Sequence, residues 1–373
     1  MELLRKTRAE IDLDALKHNV GVAHTALRDG VEMMAVVKAD AYGHGAAIFC
    51  RYLMEYGVCR FAVATLNEAV ELRLALPDAE VLVLGVTPDE LLPVVAKHRI
   101  TQTVYTFRQA KLLSDFGVGA KIHLKLDTGM HRLGYAPCEA SLDEIERIFA
   151  LPSLEVEGIY SHLALTDREH DQGQFRLFTD FTDAMAARGL RVRFRHICDG
   201  IATVRYPEMQ LDMVRPGAIF YGFNASLPVR PVMTLKSSIV RVHSVPAGAG
   251  VGYDMLDPVD HERIIATLPF GYSDGPPRAM SCGKGYVTVH GQRAPYMGLL
   301  CMDMCMVDVT GIENVCEGDE VVIFGSGEND MTFPEAARIC GYNRNGVQSG
   351  IARRVPRVYL RGGEVLCERD YLL

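Results

Sequence analysis

The sequence has no run of about 18 apolar residues, the length a helix needs to cross a bilayer, so no membrane-spanning helix is expected. Its start, MELLRKTRAEIDLD, lacks the apolar core of a secretory signal. Both absences point to a cytoplasmic protein with no membrane partner. Basic charge is not in excess either: 39 Lys and Arg against 47 Asp and Glu give a net charge of -8. Nucleic-acid partners usually need a basic face, so none is expected. The ten cysteines include no Cys-x-x-Cys pair, and the tightest spacing is Cys301 to Cys305 in CMDMC. Four ligands at metal spacing are missing, so no metal is expected. Buried, reduced thiols acting as small apolar side chains are the better reading. There is no internal repeat and no low-complexity linker.

What is present is a chain of 373 residues, too long for one ordinary domain and suited to a large domain plus a smaller one. With 49% hydrophobic and 23% charged residues it has the balance of a globular protein. The first part alternates short β-branched runs with amphipathic stretches. The runs are MMAVVK (33–38), RFAVAT (60–65), EVLVLG (80–85), TVYT (103–106), KIHLKLD (121–127), LEVEGIYS (154–161), RVRFRHI (191–197) and GAIFYG (217–222). Eight strands with helices between most neighbours predict an α/β fold, a (β/α)8 TIM-like barrel over residues 12–230. After about residue 230 short β runs follow closely, separated by Gly, Pro and Asp, and only TFPEAARICG reads as a helix. Residues 1–11 plus 231–373 are therefore expected to form a mostly antiparallel β domain.

One segment carries chemistry on its own. In AVVKADAYGHGA an apolar run ends in Lys38, and a polar loop with Gly43 and Gly45 leads into a helix. A barrel would put Lys38 at its C-terminal mouth, where βα loops build active sites. Partial burial there disfavours the charged amine and suits Schiff-base chemistry. A solvated lysine at a strand end is the plain alternative.

Other segments follow in order: HLKLDTGMHRLGY (123–135), GIYSHLALTD (158–167), HICDGIATVRYPEMQLDMVRPGAIFYG (196–222), VGYDMLD, ATLPFGYSDGPPR, GLLCMDMCMVDV and RRVPRVY. With KADAYGHG, this ordered set resembles the alanine racemase family, fold type III of the pyridoxal-phosphate enzymes, through nearly the whole chain. The resemblance implies a racemase that interconverts L- and D-alanine. Lys38 would hold pyridoxal 5′-phosphate as an imine and act as base on one face of Cα, and Tyr253 would serve the opposite face. Racemisation needs one group on each face, because the planar carbanion must be reprotonated on the far side. In the family this tyrosine comes from the second subunit, which implies a homodimer with shared active sites.

The resemblance also implies that Arg215 faces the pyridine nitrogen and that His196 orients it. An arginine cannot usefully protonate that nitrogen, since its own pKa is above about 12. Arg132 would contact the cofactor phenolate and the substrate carboxylate, and Lys125 matches a lysine that can be carbamylated to hold that arginine. His162 would stack on the pyridine ring. Tyr42, Gly200, Gly217 and Ala218 would hold the phosphate. Tyr272, Met302 and Asp303 would line the substrate site.

Three features depart from the family pattern. Its phosphate-loop Asn-Ser is Asp199-Gly200 here, which removes a hydroxyl and adds a negative charge near a dianion. Its phosphate-binding, substrate-facing tyrosine falls on Asn345, which is smaller and both donates and accepts. A serine or dual alanine/serine racemase is therefore a second reading. Leu299 replaces a frequent arginine, and nothing follows from it. Three other classes compete. A pyridoxal-phosphate carrier would lack the β domain and Tyr253. A fold-III decarboxylase is generally longer. A zinc-dependent fold-III aldolase needs a His/Cys pair late in the chain, whereas the last histidine here is His290.

Overall fold

The computed structural model describes residues 4–117, 119–224 and 226–373. Two compact units emerge: Lys17–Ala39 with Ala46–Val229, and Met1–Leu16 with Asp40–Gly45 and Arg230–Leu373. Residues 1–3 of the expected N-terminal β segment lie outside the described residues. Among the described residues no helix is long and apolar enough to cross a membrane.

The first unit is an eight-stranded, nearly closed parallel barrel. Its strands are Glu32–Val36, Arg60–Val63, Glu80–Val83, Thr101–Val104, Ala120–Lys125, Leu154–Tyr160, Phe194–His196 and Met213–Val214. Each pairs in parallel with its neighbour, and Met213–Val214 adds beside Glu32–Val36. The remaining seam is bridged by Asp212 N–H donating to Arg195 O at 3.2 Å and Arg215 N–H donating to Cys198 O at 2.9 Å. Helices such as Leu66–Ala75 and Arg168–Ala187 connect the strands. Thr65 and Glu68 form a reciprocal capping box at the first, and Asp167 caps the second through the His170 N–H. Arg60–Val63 is buried throughout, as expected of a parallel strand covered on both faces. Met34, Ala62, Leu82, Phe194 and Met213 pack together in the unit's core.

The eighth strand is a correction. GAIFYG (217–222) forms turns, and the strand is the shorter Met213–Val214 just before it. Ile219, Phe220 and Tyr221 are fully buried, so the apolar run reflects the packing of a turn rather than a ladder. The cysteines need correcting too. Cys50, Cys198 and Cys305 are buried, but Cys59, Cys138 and Cys316 are exposed. Cys138 stands at the cap of the helix Glu139–Phe149.

The second unit is a ten-stranded sheet. All its pairs are antiparallel except Arg8–Asp12 with Arg357–Arg361. The helix Phe333–Cys340 interrupts it, capped by Thr332 and ended by Gly341 in the left-handed region. The strand Gln292–Met297 contains Pro295, which demotes it in any sequence reading.

The segment after Lys38 has an unusual backbone. Ala39, Asp40, Ala41 and Tyr42 have φ of 53°, 55°, 53° and 52°, so Lys38–Tyr42 is a left-handed helical turn. Such backbone costs roughly 1–2 kcal/mol per residue for side chains other than glycine. Surrounding groups hold it. Tyr371 Oη donates to Asp40 at 2.7 Å, Arg357 Nε to Gly43 O at 2.9 Å, and Tyr359 Oη to His44 O at 2.8 Å. A Cβ on Gly43 would meet Gln348 O at 2.7 Å, which fixes glycine there. These contacts explain why residues 40–45 belong to the β unit, although they fall within the range expected for the barrel.

Candidate active site

Alternation along Ala120–Lys125 sends His123 and Lys125 to one face, and both are buried. At the strand's end Lys125 Nζ donates to Leu126 O at 2.6 Å and lies 5.4 Å from the Tyr160 ring centroid. Burial first, then the charges of Arg215 and Arg132, bring the Lys125 pKa down to about 7 against the opposing pull of Asp127. Asp127 shapes the next loop: its Oδ1 accepts the N–H groups of Gly129, Met130 and His131, each at 3.0 Å. That loop carries Arg132, which is exposed.

Arg215 is the hub. It is buried, and its NH1 donates to His196 Nδ1 at 2.6 Å. NH2 donates to Ser161 O at 2.7 Å and Ile197 O at 3.1 Å, and lies 3.4 Å from His162 Nδ1. The guanidinium sits 5.0 Å from the Tyr160 ring centroid, and that ring stacks on His196 at 4.9 Å. Burial, then the Arg215 charge, hold the His196 pKa well below its ordinary value and the His162 pKa near 3. Both rings are neutral at pH 7. Among the described residues no carboxylate pairs with Arg215.

Behind His196 the chain of contacts continues. His123 Nδ1 lies 2.8 Å from His196 Nε2, and His123 Nε2 lies 3.2 Å from Glu157 Oε2. Glu157 Oε1 accepts from Lys121 Nζ at 3.0 Å, with Arg60 NH1 3.9 Å away. Burial alone would raise the Glu157 pKa, but the bonds from His123 and Lys121 outweigh it and hold it at about 2. Sequence reasoning did not single out His123, Glu157 or Tyr160. The usable signal was the two-residue spacing of His123 and Lys125 within HLK.

The Asp199-Gly200 loop resolves one concern. Asp199 caps the short helix Gly200–Arg205, its Oδ1 accepting from Ile201 N–H at 2.9 Å and Ala202 N–H at 2.8 Å. Its charge is thus engaged by backbone N–H groups. A Cβ on Gly200 would lie 3.4 Å from Gly217 N, an ordinary contact, so Gly200 lies beside the Gly217 loop. Among the described residues the N–H groups of Gly217 and Ala218 donate to no acceptor. Lys38 follows the strand Glu32–Val36 and is exposed, not partly buried as expected; it starts the left-handed turn instead of ending the strand.

The remaining candidates lie in the β unit. Tyr272, Met302 and Asp303 are brought together there. Tyr272 N–H donates to Cys301 O and Ser273 N–H to Met302 O, each at 3.1 Å. Arg354 bridges Asp303 at 2.7 Å and buried Asp274 at 2.8 Å. Tyr253 is 62% exposed in a turn where Asp254 and Met255 have positive φ. Its hydroxyl has no partner among the described residues. Tyr42 is buried in the left-handed turn. Asn345 lies in the helix Arg344–Ser349, and its buried Oδ1 has no hydrogen-bond partner among the described residues.

Residues 11–225 match the family described as alanine racemase, N-terminal domain, and residues 232–359 match alanine racemase, C-terminal domain. The chain belongs to the alanine racemase family. The alanine racemase of Clostridium tetani is 41% identical, with 99% of each chain covered. That of Methanococcus maripaludis is 39% identical over 94% of this chain and 98% of its own. A solved Clostridium difficile alanine racemase superposes with a TM-score of 0.96 at 33% identity, covering 100% of both chains. A histidine racemase from Leuconostoc mesenteroides has a TM-score of 0.88 at 25% identity over 96% of this chain and 99% of its own.

Alanine racemases depend on pyridoxal phosphate, and the residues present fit that group. Unpaired N–H groups at Gly217 and Ala218 suit a phosphate, and Arg215 with neutral His162 suits an aromatic ring bearing an acceptor nitrogen. The barrel brings together Lys125, His162, His196 and Arg215, with the charge of Arg132 acting on them.

Proposed function

We propose that this chain is an alanine racemase that holds pyridoxal 5′-phosphate through Lys38 and moves protons with Lys38 and Tyr253. When bound, that cofactor supplies an electron sink that acidifies the Cα–H of the amino acid joined to it. Lys38 takes or returns the Cα proton on one face, and the Tyr253 hydroxyl does so on the other. Arg215 would meet the ring nitrogen as a donor that keeps its proton, which would weaken the sink and suppress side reactions. His196 orients Arg215, and His162 would pack against the ring. By resemblance to the family, Tyr42, Gly200, Gly217, Ala218 and Asn345 would hold the phosphate end. Arg132 binds the substrate carboxylate, and Tyr272, Met302, Asp303 and Asn345 shape the space around the substrate. The observation that carries this reading is the buried Arg215, bonded to a neutral histidine and free of any carboxylate among the described residues, in a chain whose full length matches alanine racemases.

Lys125 is the residue we assign to carbamylation. With its pKa near 7, a large share of the amine is neutral and able to attack carbon dioxide. The product is an anion and a released proton, and the anion would steady Arg132. Without it, Lys125, Arg132 and Arg215 repel one another. The active form is proposed to be a homodimer. Tyr253, Met255, Leu256, Met302 and Met304 are large side chains left exposed on the β unit, a surface a partner protomer would cover.

Serine is the second substrate reading. The unpartnered, buried Oδ1 of Asn345 favours it, because a substrate hydroxyl would supply the missing donor. Chiral chromatography of the purified, cofactor-loaded protein on L-alanine and L-serine tests both. D-alanine formation supports the first reading, and its absence with every amino acid tried would overturn it. L-serine left untouched while L-alanine turns over would remove the second.

A further inference from the structure

The protons along the line behind Arg215 have a single consistent order. A guanidinium has only donors, so His196 Nδ1 at 2.6 Å must accept. A neutral His196 then carries its proton on Nε2, which faces His123 Nδ1 at 2.8 Å. That nitrogen must accept in turn, so the His123 proton is on Nε2, pointing at Glu157 Oε2 at 3.2 Å. An ionised carboxylate can only accept. The two ends, a pure donor and a pure acceptor, thus fix both tautomers between them. Lys121 holds the far carboxylate oxygen at 3.0 Å.

A separate feature shows the sequence making room for this line. Gly158 follows Glu157 in the strand Leu154–Tyr160, where glycine normally weakens a ladder. A Cβ there would sit 2.7 Å from His123 Cε1, inside van der Waals contact. The pairing of this strand with Ala120–Lys125 also slips between Ile122 and His123, at the residue whose ring must reach both neighbours.

We propose that Glu157 and His123 are positioning residues for Arg215: the line Glu157–His123–His196–Arg215, with every N–H pointing toward Glu157, holds the guanidinium in its working orientation. This rests on the reading of Arg215 as a cofactor-facing residue. Breaking the line at His123 leaves the buried His196 Nε2–H without an acceptor, and the ring is then free to turn away from Arg215.

The test uses the full-length holoenzyme. Imidazole 15N spectra of wild type should show His123 and His196 both protonated on Nε2 and bare on Nδ1. His123→Leu removes the acceptor, whereas His123→Asn restores one close to the Nδ1 position. At metal centres, outer hydrogen-bond partners of the ligands are worth on the order of 10–100-fold in activity, and a buried guanidinium held through two rings is expected to follow the same scale. His123→Leu should therefore lose kcat on that scale with KM little changed, while His123→Asn recovers most of it. A wild-type spectrum with a protonated His196 Nδ1 overturns the proton order. Equal kcat in His123→Leu and wild type, with Arg215→Leu impaired, overturns the relay alone. Unchanged kcat in Arg215→Leu overturns the assignment of Arg215 itself.

Discussion

Replacing Glu157 by glutamine should destabilise the protein in a way that fades in acid. The carboxylate titrates near 2 in the folded chain against an ordinary 4.5, because Lys121 and His123 bond to it. Its side chain is 4% exposed, so solvent screens it little. The difference corresponds to about 2–3 kcal/mol at pH 7, the lower figure applying if His123 contributes only a neutral hydrogen bond. The unfolded chain takes up the proton first as pH falls. The contribution is thus complete above pH 4.5 and is lost as pH drops toward 2. Urea unfolding of wild type and Glu157→Gln at pH 7, 5.5, 4 and 3 measures it, and contributions from other groups cancel in the difference. The gap should shrink to roughly half or less by pH 3. A gap of the same size at pH 7 and pH 3 would refute the reasoning, because a loss of packing alone has no such pH dependence.

Three further outcomes are expected. Ala39→Gly relieves an exposed left-handed residue, and thermal unfolding should show a gain of roughly 1 kcal/mol after the extra chain entropy of glycine is subtracted. Gly158→Ala should push the His123 ring aside and lower both stability and kcat, read by melting and by a racemisation assay; native values for both would contradict the clash. Asn345→Tyr should shift kcat/KM toward alanine and away from serine, since a site that bonds a hydroxyl discriminates strongly.

Where both faces of a strand are buried, as in RFAV, the sequence reads as one apolar run and its role is plain. GAIFYG looks the same in sequence, but its side chains are buried in a turn. Gln292–Met297 was hidden by Pro295, which a ladder tolerates only at some positions. The left-handed turn was not legible, because in Ala-Asp-Ala-Tyr only Asp has any tendency toward positive φ. Contacts from Arg357, Tyr359 and Tyr371, more than 300 positions away, accompany it. Of the site, Lys38, His196 and Arg215 stood out through their motifs. His123 and Glu157 did not, since their meeting depends on a register slip between two strands.

The most direct test of the account follows L-alanine by proton magnetic resonance in heavy water with the cofactor-loaded protein, alongside chiral analysis of the product. Wild type should exchange the Cα proton for deuterium, keep the carboxylate and yield D-alanine, whereas Lys38→Ala should neither exchange the proton nor yield D-alanine. Loss of the carboxylate, or full racemisation by Lys38→Ala, would contradict it.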